Sequence, residues 1–199
     1  MGAGRTPGLA RALSALRRGD VIAVATDTVY GLACDPANPA AVERVFAIKR
    51  RPAGLELTLL AADACDLDDL VVWNAPARRL ASALWPGPLS LILPVGERRL
   101  VVPRLGSTIS ARVPDHELLR DLLRRSGPLA TTSANRHGSA PATSVESLRR
   151  EFGGEIGAVL AAGRPRGIAS TIIDCSVTPP RVLRDGPIDS RRLRGFVQG

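Results

Sequence analysis

Short apolar runs, each closed by a polar cluster or by Pro/Gly punctuation, alternate with stretches of helical period along most of this chain. Residues 21–25, 57–61, 89–95, 109–113 and 129–132 have the length and apolar character of buried strands. Between them lie helical patterns. Residues 8–18 place Leu9, Leu13 and Leu16 on one side and stop at Gly19-Asp20. Residues 39–50 end because Pro52 cannot continue a helix and restricts the residue before it. Residues 75–84 carry Pro76 near the start and run into Trp85-Pro86-Gly87-Pro88. Residues 117–125 are closed by Gly127-Pro128, and 144–152 open on Ser144, a good N-cap. The last strand candidates, 158–162, 171–174 and 181–184, follow one another without helices. Interleaved strands and helices with such a late run of strands predict an α/β (α+β) domain with a mixed sheet, not a doubly wound parallel one. Residues 26–32 read as a loop, polar and then apolar. The chain, 1–199, reads as one domain with a core over about 8–190 and a basic tail at the surface.

The 199 residues are enough for a sizeable core. No apolar run approaches the ~18–20 residues that span a bilayer, and Met1 to Pro7 lacks a signal-peptide core, so a cytoplasmic protein with no membrane partner is expected. Cys34, Cys65 and Cys175 are far apart, and His116 and His137 are the only histidines. No metal-ligand spacing results, so no protein-held metal is expected, and each cysteine is read as a buried or half-buried side chain. The formal charge of +8 favours anionic partners.

Nucleophile and dinucleotide signatures (GxSxG, Walker A, GxGxxG) are absent. Polar clusters instead end the apolar runs: Thr26–Tyr30, Lys49–Arg51, Ser107–Arg112, Ser133–Asn135, Ser170–Thr171 and Arg184–Gly186. Hydroxyls, amides and a few cations at strand ends suit a phosphorylated ligand. Of 27 basic residues only Lys49 is lysine. An ammonium is a compact charge that fits among oxygens where a planar guanidinium does not.

In order, these clusters resemble the YrdC family. The resemblance rests on Thr26-Asp27-Thr28-Val29-Tyr30-Gly31-Leu32, Lys49-Arg50-Arg51-Pro52, Trp85-Pro86-Gly87-Pro88-Leu89-Ser90, Arg112-Val113-Pro114-Asp115-His116, Ser133-Ala134-Asn135, Ser170-Thr171-Ile172-Ile173-Asp174 and Leu183-Arg184-Asp185-Gly186. It implies a twisted mixed sheet flanked by helices around a basic concave cavity, in the short single-domain form. It also implies a reaction: L-threonine, bicarbonate or CO2 and ATP, the last with Mg2+, give threonylcarbamoyl-adenylate and pyrophosphate. A partner complex then delivers the threonylcarbamoyl group to tRNA. The residues it implies for ATP are Lys49, Arg51, Thr108, Ser133, Asn135, Thr143 and Arg184, with Lys49 and Arg51 catalytic. Those implied for threonine are Thr28, Tyr30, Ser170 and Arg112, the last as a fork on the carboxylate. Departures lie at 52–60, where no contact is carried over, at Ser90 for threonine, at His137 for serine and at Ala169 for proline. The competing readings are a non-catalytic binder of tRNA or double-stranded RNA, a paralogue with another substrate, and a carbamoyl-transfer module of hydrogenase maturation. The first has few aromatic stacking platforms here, and the last normally carries zinc-finger cysteine pairs that this chain lacks.

Overall fold

Nine strands among the described residues join into a single mixed sheet, in the order β7-β1-β2-β6-β3-β5-β4-β8-β9. The computed structural model describes residues 5–50, 56–98, 100–102, 106–189, 193, 195 and 196. In chain order the elements are α1 (Arg5–Arg17), β1 (Ile22–Val24), β2 (Gly31–Cys34), α2 (Pro39–Lys49), β3 (Thr58–Leu60), a 3-10 turn (Ala64–Leu67), α3 (Ala75–Leu84), β4 (Leu89–Pro94), β5 (Thr108–Arg112), α4 (Glu117–Ser126), β6 (Leu129–Ser133), α5 (Val145–Phe152), β7 (Ala158–Leu160), β8 (Thr171–Asp174) and β9 (Arg181–Arg184). Three pairs are parallel (β1–β7, β3–β5, β4–β8) and the other five are antiparallel. The mixed sheet expected from the late run of strands is therefore present.

Helix boundaries follow their caps. Asn38, Asn74 and Ser144 each accept a backbone N–H of the first turn, and proline stands in the first turn of α2 and α3. α2 closes on Arg50 in the left-handed conformation, φ 50°. α4 is capped by a histidine: His116 Nδ1 accepts from Leu119 N at 3.2 Å while Nε2 bonds Ala162 O at 2.8 Å. Because Nδ1 accepts, the ring proton sits on Nε2, and this histidine fastens α4 to the segment after β7.

Strand alternation decides what each sheet face offers. Across the centre, Cys34, Ala130, Leu59, Ala111, Leu91 and Ile173 are successive cross-strand partners. All six are wholly buried. They form a dry row within the core that includes residues of α2, α3 and α5. The opposite face divides. One part carries Ile22, Val24, Ala33, Leu60 and Leu129, which cluster with leucines of α1 and α4. The other part carries Ser133, Thr131, Thr58, Ser110 and Ser90, with Thr58 directly paired to both Thr131 and Ser110. These hydroxyl-bearing residues line an open hollow.

Three expectations need correction. Gly31 and Leu32 belong to a strand, not to the loop expected over 26–32, since Gly31 to Ala33 pair with β1 and Gly31 to Cys34 with β6. Cys65 is exposed on the 3-10 turn, unlike buried Cys34 and Cys175. Within the tail assigned to the surface, Leu193 is buried against the core.

Candidate functional site

The hollow over the polar half of the sheet has a volume of about 480 Å³. Among the described residues three cations line it: Lys49 from the end of α2, Arg112 from the end of β5 and Arg184 from the end of β9. Lys49 is only 3% exposed. Its Nζ donates to Ser133 O at 2.6 Å, Asn135 O at 2.8 Å and Asn135 Oδ1 at 3.0 Å. Ser133 Oγ donates to the same Asn135 Oδ1 at 2.6 Å. Lysine is thus required here as a point donor onto converging oxygens, which is where a planar fork would fail.

Arg112 is buried, and its Nε, Nη1 and Nη2 donate to Gly87 O, Thr28 Oγ1 and Asp27 Oδ1 respectively. Arg184 donates from Nε to Ser170 O at 2.9 Å and from Nη2 to Ser170 Oγ at 3.1 Å. Ser170 Oγ lies 2.9 Å from Ser90 Oγ. Burial pushes the Arg112 guanidinium below its ordinary value; Asp27 opposes that shift and Arg184 adds to it. Burial alone pushes Arg184 down. Two desolvated guanidiniums in one wall, of which Arg112 alone pairs with a carboxylate among the described residues, favour an incoming anion.

Two glycines allow this wall to close. A Cβ on Gly87 would stand 2.3 Å from Leu84 O, and one on Gly186 would stand 2.3 Å from Thr171 N. The first lets the Gly87 carbonyl reach Arg112; the second seats the chain after β9 against Ser170.

Of the residues expected from sequence, Thr28, Lys49, Arg112, Ser133, Asn135, Ser170 and Arg184 line this one hollow. Tyr30 does not: it is 3% exposed and belongs to the hydrophobic core with Leu32 and Cys34, on the side opposite to Gly31, which does line the hollow. Thr108 shares the face of Ser110 and Arg112 but sits at the far end of β5, opposite Pro94, outside the lining. Thr143 is exposed on the loop before α5 and also outside it. Arg51 falls outside the described residues. The site residues expected from sequence omit Thr58, Thr131 and, though it lies in the Ser107–Arg112 cluster, Ser110; they bond one another through Thr58 Oγ1 to Ser110 Oγ (3.1 Å) and Thr131 Oγ1 to Thr58 O (2.9 Å). Their signal was alternation: each lies two positions from another residue of the lining on its strand. Glu56 also lines the hollow, within the stretch from which no contact was carried over. His137 lines it too, tied by its backbone N–H to Lys49 O.

Mixed-sheet architecture and a cation-walled hollow on its open face define an α/β protein built to receive an anionic ligand. The sequence model of the Sua5/YciO/YrdC family, described as "Telomere recombination", matches residues 14–186. The chain is 36% identical over 199 aligned residues to the threonylcarbamoyl-AMP synthase of Bacillus subtilis, covering 96% of this chain and 57% of that protein. It is 37% identical over 157 residues to the threonylcarbamoyl-AMP synthase of Vibrio vulnificus, covering 76% of this chain and 84% of that protein. The crystal structure of P. abyssi Sua5 complexed with L-threonine superposes with a TM-score of 0.87 at 35% identity, over 95% of this chain and 57% of that one. This chain belongs to the Sua5/YciO/YrdC family. It spans a little over half the length of some relatives and most of the length of others.

Proposed function

We propose that this protein is a threonylcarbamoyl-AMP synthase, joining L-threonine, CO2 or bicarbonate and ATP into threonylcarbamoyl-adenylate with release of pyrophosphate, for modification of tRNA. The observation that carries this reading is the convergence of Lys49, Arg112 and Arg184 on one hollow of about 480 Å³ floored by hydroxyls. That size suits a nucleotide-scale ligand.

The threonine amine attacks CO2, forming a C–N bond and losing a proton, to give a carbamate. A carbamate oxygen then attacks the α-phosphorus of ATP and the bond to pyrophosphate breaks. Anion approaches anion, so positioning and charge neutralisation dominate over acid–base relay. Arg112 takes the threonine carboxylate, with Thr28 and Ser170 around the amino acid. Lys49, Ser133, Asn135 and Arg184 face the phosphates and the developing charge; the family resemblance assigns Arg51 to ATP as well. ATP enters as its Mg2+ complex. The names of the synthase relatives and the threonine complex of P. abyssi Sua5 support the substrate class.

The test is pyrophosphate release from ATP by the purified protein. Release that requires both threonine and bicarbonate is expected. Release independent of threonine, or RNA binding that falls steeply with salt and no turnover, would favour the competing classes.

A further inference from the structure

Five N–H groups belong to the Arg112 guanidinium. Three are engaged, by Gly87 O at 2.9 Å, Thr28 Oγ1 at 2.8 Å and Asp27 Oδ1. The other two have no partner among the described residues, and Arg112 lines the hollow. Asp27 is not part of that lining; its side chain is 9% exposed and that of Arg112 6%. The carboxylate therefore stands behind the guanidinium.

It is also a fixed post. Thr26 Oγ1 accepts from Thr28 N at 3.0 Å and Val29 N at 3.2 Å, and donates to Val29 O at 2.7 Å. Gly167 N donates to Thr28 O at 2.8 Å. The turn carrying Asp27 is thus held both by the Thr26 side chain and by the backbone at Gly167. Without that carboxylate the Nη2 end of Arg112 loses the one ion pair that ties it to this turn.

We infer that Asp27 is a positioning residue: its carboxylate, fixed by the Thr26 turn, holds Arg112 so that the two unengaged N–H groups meet a ligand carboxylate in the hollow. The inference rests on the reading of Arg112 as the threonine-carboxylate site. It differs in sign from a simple charge effect. Removing a carboxylate beside an anion site strengthens anion binding by Coulomb's law alone, whereas loss of positioning weakens it.

Asp27→Ala and Asp27→Asn would be compared with the wild type in pyrophosphate release, titrating threonine and ATP separately. Asp27→Ala is expected to raise the threonine KM about tenfold or more and the ATP KM less than about twofold. Asp27→Asn, which restores an acceptor oxygen without charge, is expected to recover most of the loss. A threonine KM that is unchanged or lowered in Asp27→Ala, or threonine and ATP KM rising together, overturns the proposal. A crystal structure of Asp27→Ala without substrate reads the geometry directly. Arg112 displaced from Gly87 O and Thr28 Oγ1 is expected, and an unmoved guanidinium overturns the proposal. That arm decides even if the wild type releases no threonine-dependent pyrophosphate, an outcome that would sink the functional reading instead.

Discussion

Replacing Lys49 by methionine removes a charge while keeping side-chain length and apolar bulk. Three acceptors lose the ammonium: Ser133 O, Asn135 O and Asn135 Oδ1. Two of them keep another donor, since Asn135 N bonds Ser133 O at 3.0 Å and Ser133 Oγ bonds Asn135 Oδ1 at 2.6 Å. Relief of the buried charge offsets much of the lost bonding. The uncompensated part is then one carbonyl, Asn135 O, costing about 1–3 kcal/mol. For a chain of this size that lowers Tm by roughly 2–12 °C. Turnover is hit harder, because a cation aimed at developing charge contributes on the order of 10²–10³ in kcat. Lys49→Arg keeps charge but presents a wide fork to oxygens converging within 2.6–3.0 Å, and is expected to lose activity as well. Thermal unfolding followed by circular dichroism, with pyrophosphate release on the same samples, separates the two effects. Methionine at 49 with turnover near that of the wild type would refute the catalytic assignment. A Tm fall well beyond this range would refute the energetic one.

Other perturbations test neighbouring parts of the structure. His116→Ala loses both the α4 cap and the bond to Ala162 and is expected to cost about 2 kcal/mol; His116→Asn keeps a capping oxygen and costs about half that, by Tm. Gly186→Ala drives a Cβ to within 2.3 Å of Thr171 N and should displace Ser170, lowering turnover along with about 1–3 kcal/mol of stability, measured by the same two assays. Thiol labelling of the native protein should modify exposed Cys65 alone, and all three cysteines after unfolding. Burial, with Asp35 adding repulsion, pushes the Cys34 thiol from 9.0 up to about 12; burial and then Asp174 push Cys175 to about 12 as well. The unfolded chain therefore releases these protons first as pH rises. Stability is full below pH 9 and falls toward pH 12, by up to about 1.4 kcal/mol per pH unit for Cys34, in denaturant titrations across that window.

Much of the fold was legible because local signals agreed with one another. The spacing sets residues 75–84 between Pro76 near the start and Trp85-Pro86 after the end, and α3 has those same limits. β8 and β9 also fell on the residues expected. β2 was missed because Gly31-Leu32-Ala33-Cys34 carries no β-branched residue and follows a polar turn. Its strand character comes from pairing on both sides, a tertiary effect that propensity does not record. The habit of its residue type makes Cys65 a buried or half-buried side chain, while its place on a surface 3-10 turn decides otherwise.

The site was partly legible for a related reason. Lys49 stood out as the single lysine, and Arg112, Asn135, Ser170 and Arg184 stood at the ends of apolar runs. Thr58, Ser110 and Thr131 became recognisable only once strand register joined them across 52 and 73 residues of chain. The Asp27–Arg112 pair spans 85 residues and had no local signature at all. Tyr30 was placed in the site by its motif, yet packing took its ring into the core.

The most direct measurement is a crystal structure with L-threonine and a non-hydrolysable ATP analogue bound together. The threonine carboxylate is expected on Arg112 and the phosphates beside Lys49 and Arg184, all over the hydroxyl-lined half of the sheet. Ligands bound on another face, with the hollow filled only by solvent, would contradict it.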